Sequence, residues 1–304
     1  MTDTEMTLNS PGIGGKPGQQ GDDGSSLIGT KPKTSSVVLK CLVKLGAFLT
    51  IAGLIFIVGY ILIMGIPNLK LSLFDPVYNS ENVSMLPSLV DTLLAVLLTL
   101  LVAVPIGVAS AIYLVEYTSR GNKFVKVVRV TAETLAGIPS IVYGLFGMLF
   151  FVTFCGWGLS LLSGCMTLAI MVLPTIIRST EEALQAVPDS YREGSFGLGA
   201  GRLHTVMKVV LPPAVPGIFG GIILSIGRIV GESAALIFTA GTVAKIPGSV
   251  FSSVRTMSVH MYVLSSEGFH INEAYATAAV LLAIVLLINA VASFVAKRLV
   301  KGNE

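Results

Sequence analysis

The chain has 304 residues, 53% hydrophobic and only 12% charged, with a mean hydropathy of +0.82. A soluble domain carries about 25% charged residues. The polar surface here is therefore too small to cover a water-soluble globule, and the composition reads as a polytopic membrane protein. The net charge of +3 is small and its placement matters more than its size, so no nucleic-acid partner is expected. Cys41, Cys155 and Cys165 have no CxxC or His-rich spacing, which argues against a metal site or a disulfide framework.

Residues 1–36 are rich in Gly, Ser, Thr, Pro, Asp and Lys without an apolar period, and read as a disordered tail. In Gly15-Lys16-Pro17 and Gly29-Thr30-Lys31-Pro32 a Pro follows the Lys, so neither has the Gly-Lys-Ser/Thr ending of a phosphate-binding loop. The chain is expected to hydrolyse no nucleotide and to bind no cofactor itself. A first span is predicted over residues 45–67, followed by a polar interval to about residue 88. A second span covers residues 93–114, with Pro105 and Gly107 marking a kink. A basic connection, residues 116–133, leads to a third span over residues 135–155.

Gly156-Trp157-Gly158 is so short that the fourth span, ending near residue 177, must return as an antiparallel hairpin. A polar stretch follows at residues 178–208, then an apolar run at 209–240 and a loop to residue 272 containing His260 and His270. Both histidines are expected at the surface or an interface. A last span covers residues 274–295.

Six spans put both termini on one side. Of the 20 Lys and Arg residues, sixteen lie in the termini, residues 116–133 and residues 178–208. The opposite loops hold only Lys70, Lys245 and Arg255. The positive-inside rule therefore makes the termini and the 178–208 stretch cytoplasmic, in an inner cell membrane.

The stretch 178–208 contains two capping-box spacings, Ser179-Thr180-Glu181-Glu182 and Ser190-Tyr191-Arg192-Glu193. Pro188 separates them, and Gly199 and Gly201 are placed to end the second helix. Two short helices with a sharp break are predicted. From the residues alone this is either a solvated connector or a docking surface.

Glu193-Gly194-Ser195, then Gly199, then Val209-x-Leu211-Pro212 is similar to the EAA loop of ABC importer permeases. Gly194 and Ser195 stand where alanines are usual, and Val209 where isoleucine is usual. The resemblance implies an all-α, six-span, type I (MetI-like) permease fold. It also implies that Glu193, Gly194, Ser195, Gly199, Ala200, Leu211 and Pro212 form a coupling element for cytoplasmic ATPase subunits, which would carry the ATP and Mg.

Residues 133–147, 177–193 and 227–233 resemble phosphate permeases of the PstA type more specifically. The likeness covers about residues 88–298, with coupling loop 179–208. Residues 37–87 hold the first span and an external loop, and residues 299–304 a cytoplasmic C-terminus. The implied partners are a second homologous permease, an external phosphate-binding protein, inorganic phosphate and the lipid bilayer. Sulfate or molybdate as substrate, or an ion-coupled secondary transporter, are the alternatives.

Arg228 and Glu232 are four residues apart, hence expected on one helix face. Charged groups at membrane depth face a partner or a watery path. They either pair structurally or line an anion path, where a guanidinium binds phosphate oxygens through two hydrogen bonds. Arg228 lies near the midplane if its span starts near Pro216, and nearer the outer surface if it starts at Val209. Arg178 is a weaker candidate for the same path. The spacings Gly217/Gly221 and Gly227/Gly231 are expected to let another helix approach closely. Tyr143, Pro139 and Gly144 are read as either core or path lining.

Overall fold

A computed structural model describes residues 34–118 and 121–301, and all of its described secondary structure is helical. The chain divides into two units, residues 1–55 and 56–304. The described part of the first belongs to helix α1 (Thr34–Gly65). Most of the expected tail, and residues 302–304, lie outside the described residues, while residues 34–36 already belong to α1.

The second unit carries α2 (Leu86–Ile112), α3 (Lys123–Ala136), α4 (Ser140–Gly147), α5 (Leu161–Gln185), α6 (Asp189–Gly197) and α7 (Arg202–Thr205). It continues with α8 (Leu211–Gly231), α9 (Ala234–Thr239), α10 (Met257–Glu267) and α11 (Ile271–Lys301). Widened turns extend α2 through Tyr113–Tyr117 and α4 through Met148–Phe154, and join α7 to α8 at Val206–Val210. Among the described residues, five helices are long and apolar enough to cross a membrane: Val38–Asn68, Leu86–Tyr117, Leu161–Gln185, Arg202–Gly231 and Ile271–Phe294.

The third expected span is broken. Val125–Ala136 and Ser140–Phe154 meet at 102°. Pro139 has no N–H and disfavours helical backbone at Ile138, which ends α3 there. Tyr143 donates to Leu135 O at 2.7 Å, satisfying a carbonyl that the end of α3 leaves open. Tyr143 is thus a buried strut of the kink. The predicted basic connection is mostly the helix α3, tied to α5 by Arg129 Nε and Glu181 Oε2 at 3.2 Å.

Helix α5 sits at the centre. Ser160 caps its start, accepting from Ser163 N at 3.2 Å. Leu161 N and Leu162 N donate to Ser252 O and Val250 O, each at 2.9 Å, so the loop before α10 closes that end. Leu168, Met171, Val172 and Ile176 are fully buried. Between lipid-embedded helices apolar burial drives little, and close packing at small residues holds them. A Cβ on Gly107 of α2 would come within 2.7 Å of Ile176 Cγ2. On the other side Gly217 of α8 abuts Ala183 and Gly221 abuts Ser179, so this glycine pair seats α8 on α5. Gly227 and Gly231 meet nothing, so the second pair packs no helix among the described residues.

Three further expectations are corrected. The helix of the fourth span does not end near residue 177. It runs on to Gln185, so Ser179 is inside α5 and caps nothing. The second loop helix starts at Asp189 behind Pro188, without a side-chain cap from Ser190. His260 is not at the surface. It is fully buried on α10, with the Tyr78 ring edge-on at 6.0 Å and both ring nitrogens closed to solvent. Burial, and then the charge of Arg255, pushes its imidazole down from 6.5 to about 4. His270 is half-buried, 3.8 Å from Glu273.

Candidate functional site: a docking element and a charged path

Helix α6 is stopped by Gly199, whose φ of +82° only glycine adopts cheaply. Gly199 N donates to Phe196 O at 2.9 Å and Ala200 N to Ser195 O at 3.1 Å, the paired bonds of a Schellman end. Ser195 is buried, its hydroxyl 2.8 Å from that of Thr205. Glu193, Gly194, Phe196 and Leu198 face outward, Leu198 at 92% exposure. A Cβ at Gly194 would meet nothing. Leu211 packs among Leu184, Val187, Val210 and Ala214, and Pro212 opens α8. The expected coupling residues thus divide: Glu193 and Gly194 form an outward face, while Ser195, Gly199, Ala200, Leu211 and Pro212 shape and seat it.

Sequence reasoning missed what holds this element. Arg192 reaches the end of α2, with Nη2 2.7 Å and Nε 3.1 Å from Glu116 Oε1. It also donates to Leu184 O at 2.9 Å and Val187 O at 2.8 Å, closing the end of α5. The Glu116 hydrogen bond, outweighing burial, pushes the guanidinium above its ordinary value. No local spacing could reveal a pair 76 positions apart. A cavity of about 880 Å³ opens beside it, lined by Glu116, Lys126, Arg129, Arg192 and Arg202.

The second site lies deeper. The contacts of Gly217 with Ala183 and of Gly221 with Ser179 make α5 and α8 antiparallel. Carried on, the same register sets Arg228 level with Val172, about 16 Å of helix from Leu161. That is about half a hydrocarbon thickness. The helix bearing Arg228 does start before Val209, at Arg202, but its first turns lie beside the end of α5. Arg228 is half-buried in a cavity of about 550 Å³ with Thr175, Leu224, Gly227 and Asn289. It has no ion pair among the described residues.

Glu232 does not share a helix face with Arg228. Helix α8 ends at Gly231, and Glu232 turns away in extended conformation at ψ 127°. It is buried, and its Oε1 accepts from Ala235 N at 3.1 Å, capping α9, while its carbonyl accepts from Ser258 Oγ at 2.6 Å. Arg178 is exposed beside Glu182, with Nε 3.0 Å from Oε1. It lines another cavity, of about 440 Å³, whose walls include Thr175 and Leu224. Those two residues also wall the Arg228 cavity, so the two cavities adjoin.

Residues 103–303 match the family described as "Binding-protein-dependent transport system inner membrane component". A probable ABC transporter permease protein of Bacillus subtilis, YqgI, is 37% identical over 221 residues, 67% of this chain and 74% of its own. A phosphate transport system permease protein PstA of Mycobacterium leprae is 37% identical over 164 residues, 54% of this chain and 53% of its own. The chain therefore spans about half the length of that PstA relative. Among solved structures, the inward-facing MetNI methionine ABC transporter matches with TM-score 0.55 at 20% identity, over 71% of this chain and 94% of the other. A bacterial ABC transporter importing alginate matches with TM-score 0.61 at 16% identity, over 87% and 98%.

Proposed function

This chain belongs to the binding-protein-dependent transport system inner membrane components, and from that premise we propose that it is a permease subunit of an ATP-driven phosphate importer. Membership makes it a multi-pass membrane component of a transport system. The phosphate reading is carried by Arg228: a guanidinium at mid-depth of the bundle without an ion pair among the described residues, in a chain whose relatives include proteins named phosphate transport system permeases. A guanidinium presents a planar fork of donors that matches the oxygens of a phosphate group.

On this reading the α6 end of the bundle faces the cytoplasm, where the outward face around Glu193, Gly194 and Leu198 docks on an ATPase subunit. An external binding protein delivers phosphate at the opposite end, and a second, homologous permease completes the path. Arg228 receives the anion and Arg178 stands at the inner exit. ATP and Mg act on the partner ATPase. Movement of α6 reaches the spans by two routes, through α7 into α8 and through Arg192 and Glu116 into α2.

The test is reconstitution of the complete complex in proteoliposomes with its binding protein. ATP-dependent uptake of radiolabelled phosphate, but not of sulfate or molybdate, is expected. Preference for either other oxyanion would overturn the phosphate reading.

A further inference from the structure

Arg228 carries only hydrogen-bond donors, so it attracts phosphate and sulfate alike. Selecting between them requires an acceptor. Phosphate near neutral pH keeps at least one P–O–H, whereas sulfate carries none. Glu232, expected from the sequence to share a helix face with Arg228, caps α9 and does not line the Arg228 cavity.

The cavity holds another acceptor. Asn289 reaches it from α11, where it is the only polar side chain between Thr277 and Ser293. Its Oδ1 is closed to solvent and has no hydrogen-bond partner among the described residues, so it meets a ligand when the carboxamide turns toward the cavity. A carboxamide at membrane depth is costly, and a buried carbonyl oxygen left unpaired is costlier still. Thr175, the remaining polar side chain on the wall, lies on α5, so polar side chains converge from α5, α8 and α11.

We propose that Asn289 determines anion specificity, its Oδ1 accepting a hydrogen bond from the P–O–H of phosphate while Arg228 binds the ionised oxygens. Against sulfate the same lone pair faces an anionic oxygen with no proton between them, which is repulsive. A site built to bond a substrate hydroxyl rejects an analogue lacking it far more strongly than an apolar wall does. This inference rests on the phosphate reading of the cavity.

Binding of inorganic phosphate, with inorganic sulfate as competitor, should be measured on the complete permease–ATPase complex in nanodiscs without the external binding protein. Wild type is expected to favour phosphate. Asn289→Leu should lower the phosphate-to-sulfate ratio about 10- to 100-fold, the loss of one hydrogen bond to a charged ligand. Asn289→Asp, which keeps an acceptor and adds charge, should weaken sulfate more than phosphate and so keep or raise the ratio. A ratio unchanged in Asn289→Leu overturns the inference, whether both affinities hold or fall together, because a structural role would move both alike. No phosphate preference in wild type overturns it too. The uptake assay judges the phosphate reading separately: import of phosphate with an unaltered Asn289→Leu ratio leaves that reading standing and removes only this one.

Discussion

Arg192 on α6 and Glu116 at the end of α2 form a paired contact, 2.7 and 3.1 Å to one carboxylate oxygen, with only 14% and 7% of the two side chains exposed. Removing one partner of a buried pair strands the other charge at a cost of about 3–5 kcal/mol. Glu116→Gln and Arg192→Met should each destabilise the protein on that scale, and the double variant by less than the sum, as a double-mutant cycle of thermal unfolding would read. In the reconstituted complex the single variants should keep ATP hydrolysis while losing transport. Transport falling only in step with hydrolysis would leave the pair a purely structural role.

Arg228→Gln should abolish phosphate uptake, by about 100-fold or more, while the complex still assembles. Arg228→Lys keeps the charge but loses the paired fork and should recover only part of the rate. Co-purification with the ATPase checks assembly, and uptake in the same sample checks transport.

Gly199→Val tests the end of α6. A Cβ there has open space, so the cost lies in the positive φ rather than in a clash. A β-branched residue in that conformation costs about 1–2 kcal/mol. The expected outcome is weakened ATPase co-purification, because the exposed Leu198 face loses its fixed direction, with Gly199→Asn nearer to wild type.

The two glycine pairs on α8 should respond oppositely. Gly221→Leu drives a side chain into Ser179 and should destabilise by about 1–3 kcal/mol, the usual range for overpacking. Gly227→Ala enters open space and should leave the unfolding temperature unchanged within the scatter of surface substitutions, about 0.5 kcal/mol.

His260 sets a pH dependence. Its imidazole is pushed down to about 4 from 6.5, so between those values the unfolded chain binds more protons than the folded one. Its contribution is fully present above pH 6.5 and is lost as pH falls toward 4, by about 3 kcal/mol in all. Unfolding temperatures taken across that window should show the loss in wild type and a flatter profile in His260→Leu.

Some of this was legible in the linear order of residues. Charge depletion and long apolar runs announce a membrane bundle because a bilayer rewards only helices that satisfy their own backbone. Gly199 was legible because an αL helix end demands glycine, and the Gly217/Gly221 pair because close helix approach demands small residues. The kink at Pro139 was half-legible: the proline is local, but the continuous apolar pattern across it hid the 102° bend. The apolar run through residues 209–240 likewise concealed the stop at Gly231, which placed Glu232 off the face of Arg228.

What the chain alone determined was class and local geometry: membrane residence, approximate spans, the spacing of the docking element and the presence of charge at depth. These depend on neighbours within a turn or two. The tertiary structure decided which polar groups meet. Arg192 finds Glu116, Arg228 shares a cavity with Asn289, and His260 is buried, each through the register of helices distant in sequence. In lipid one apolar helix face resembles another, so no pattern along the chain marks the face that will find a partner.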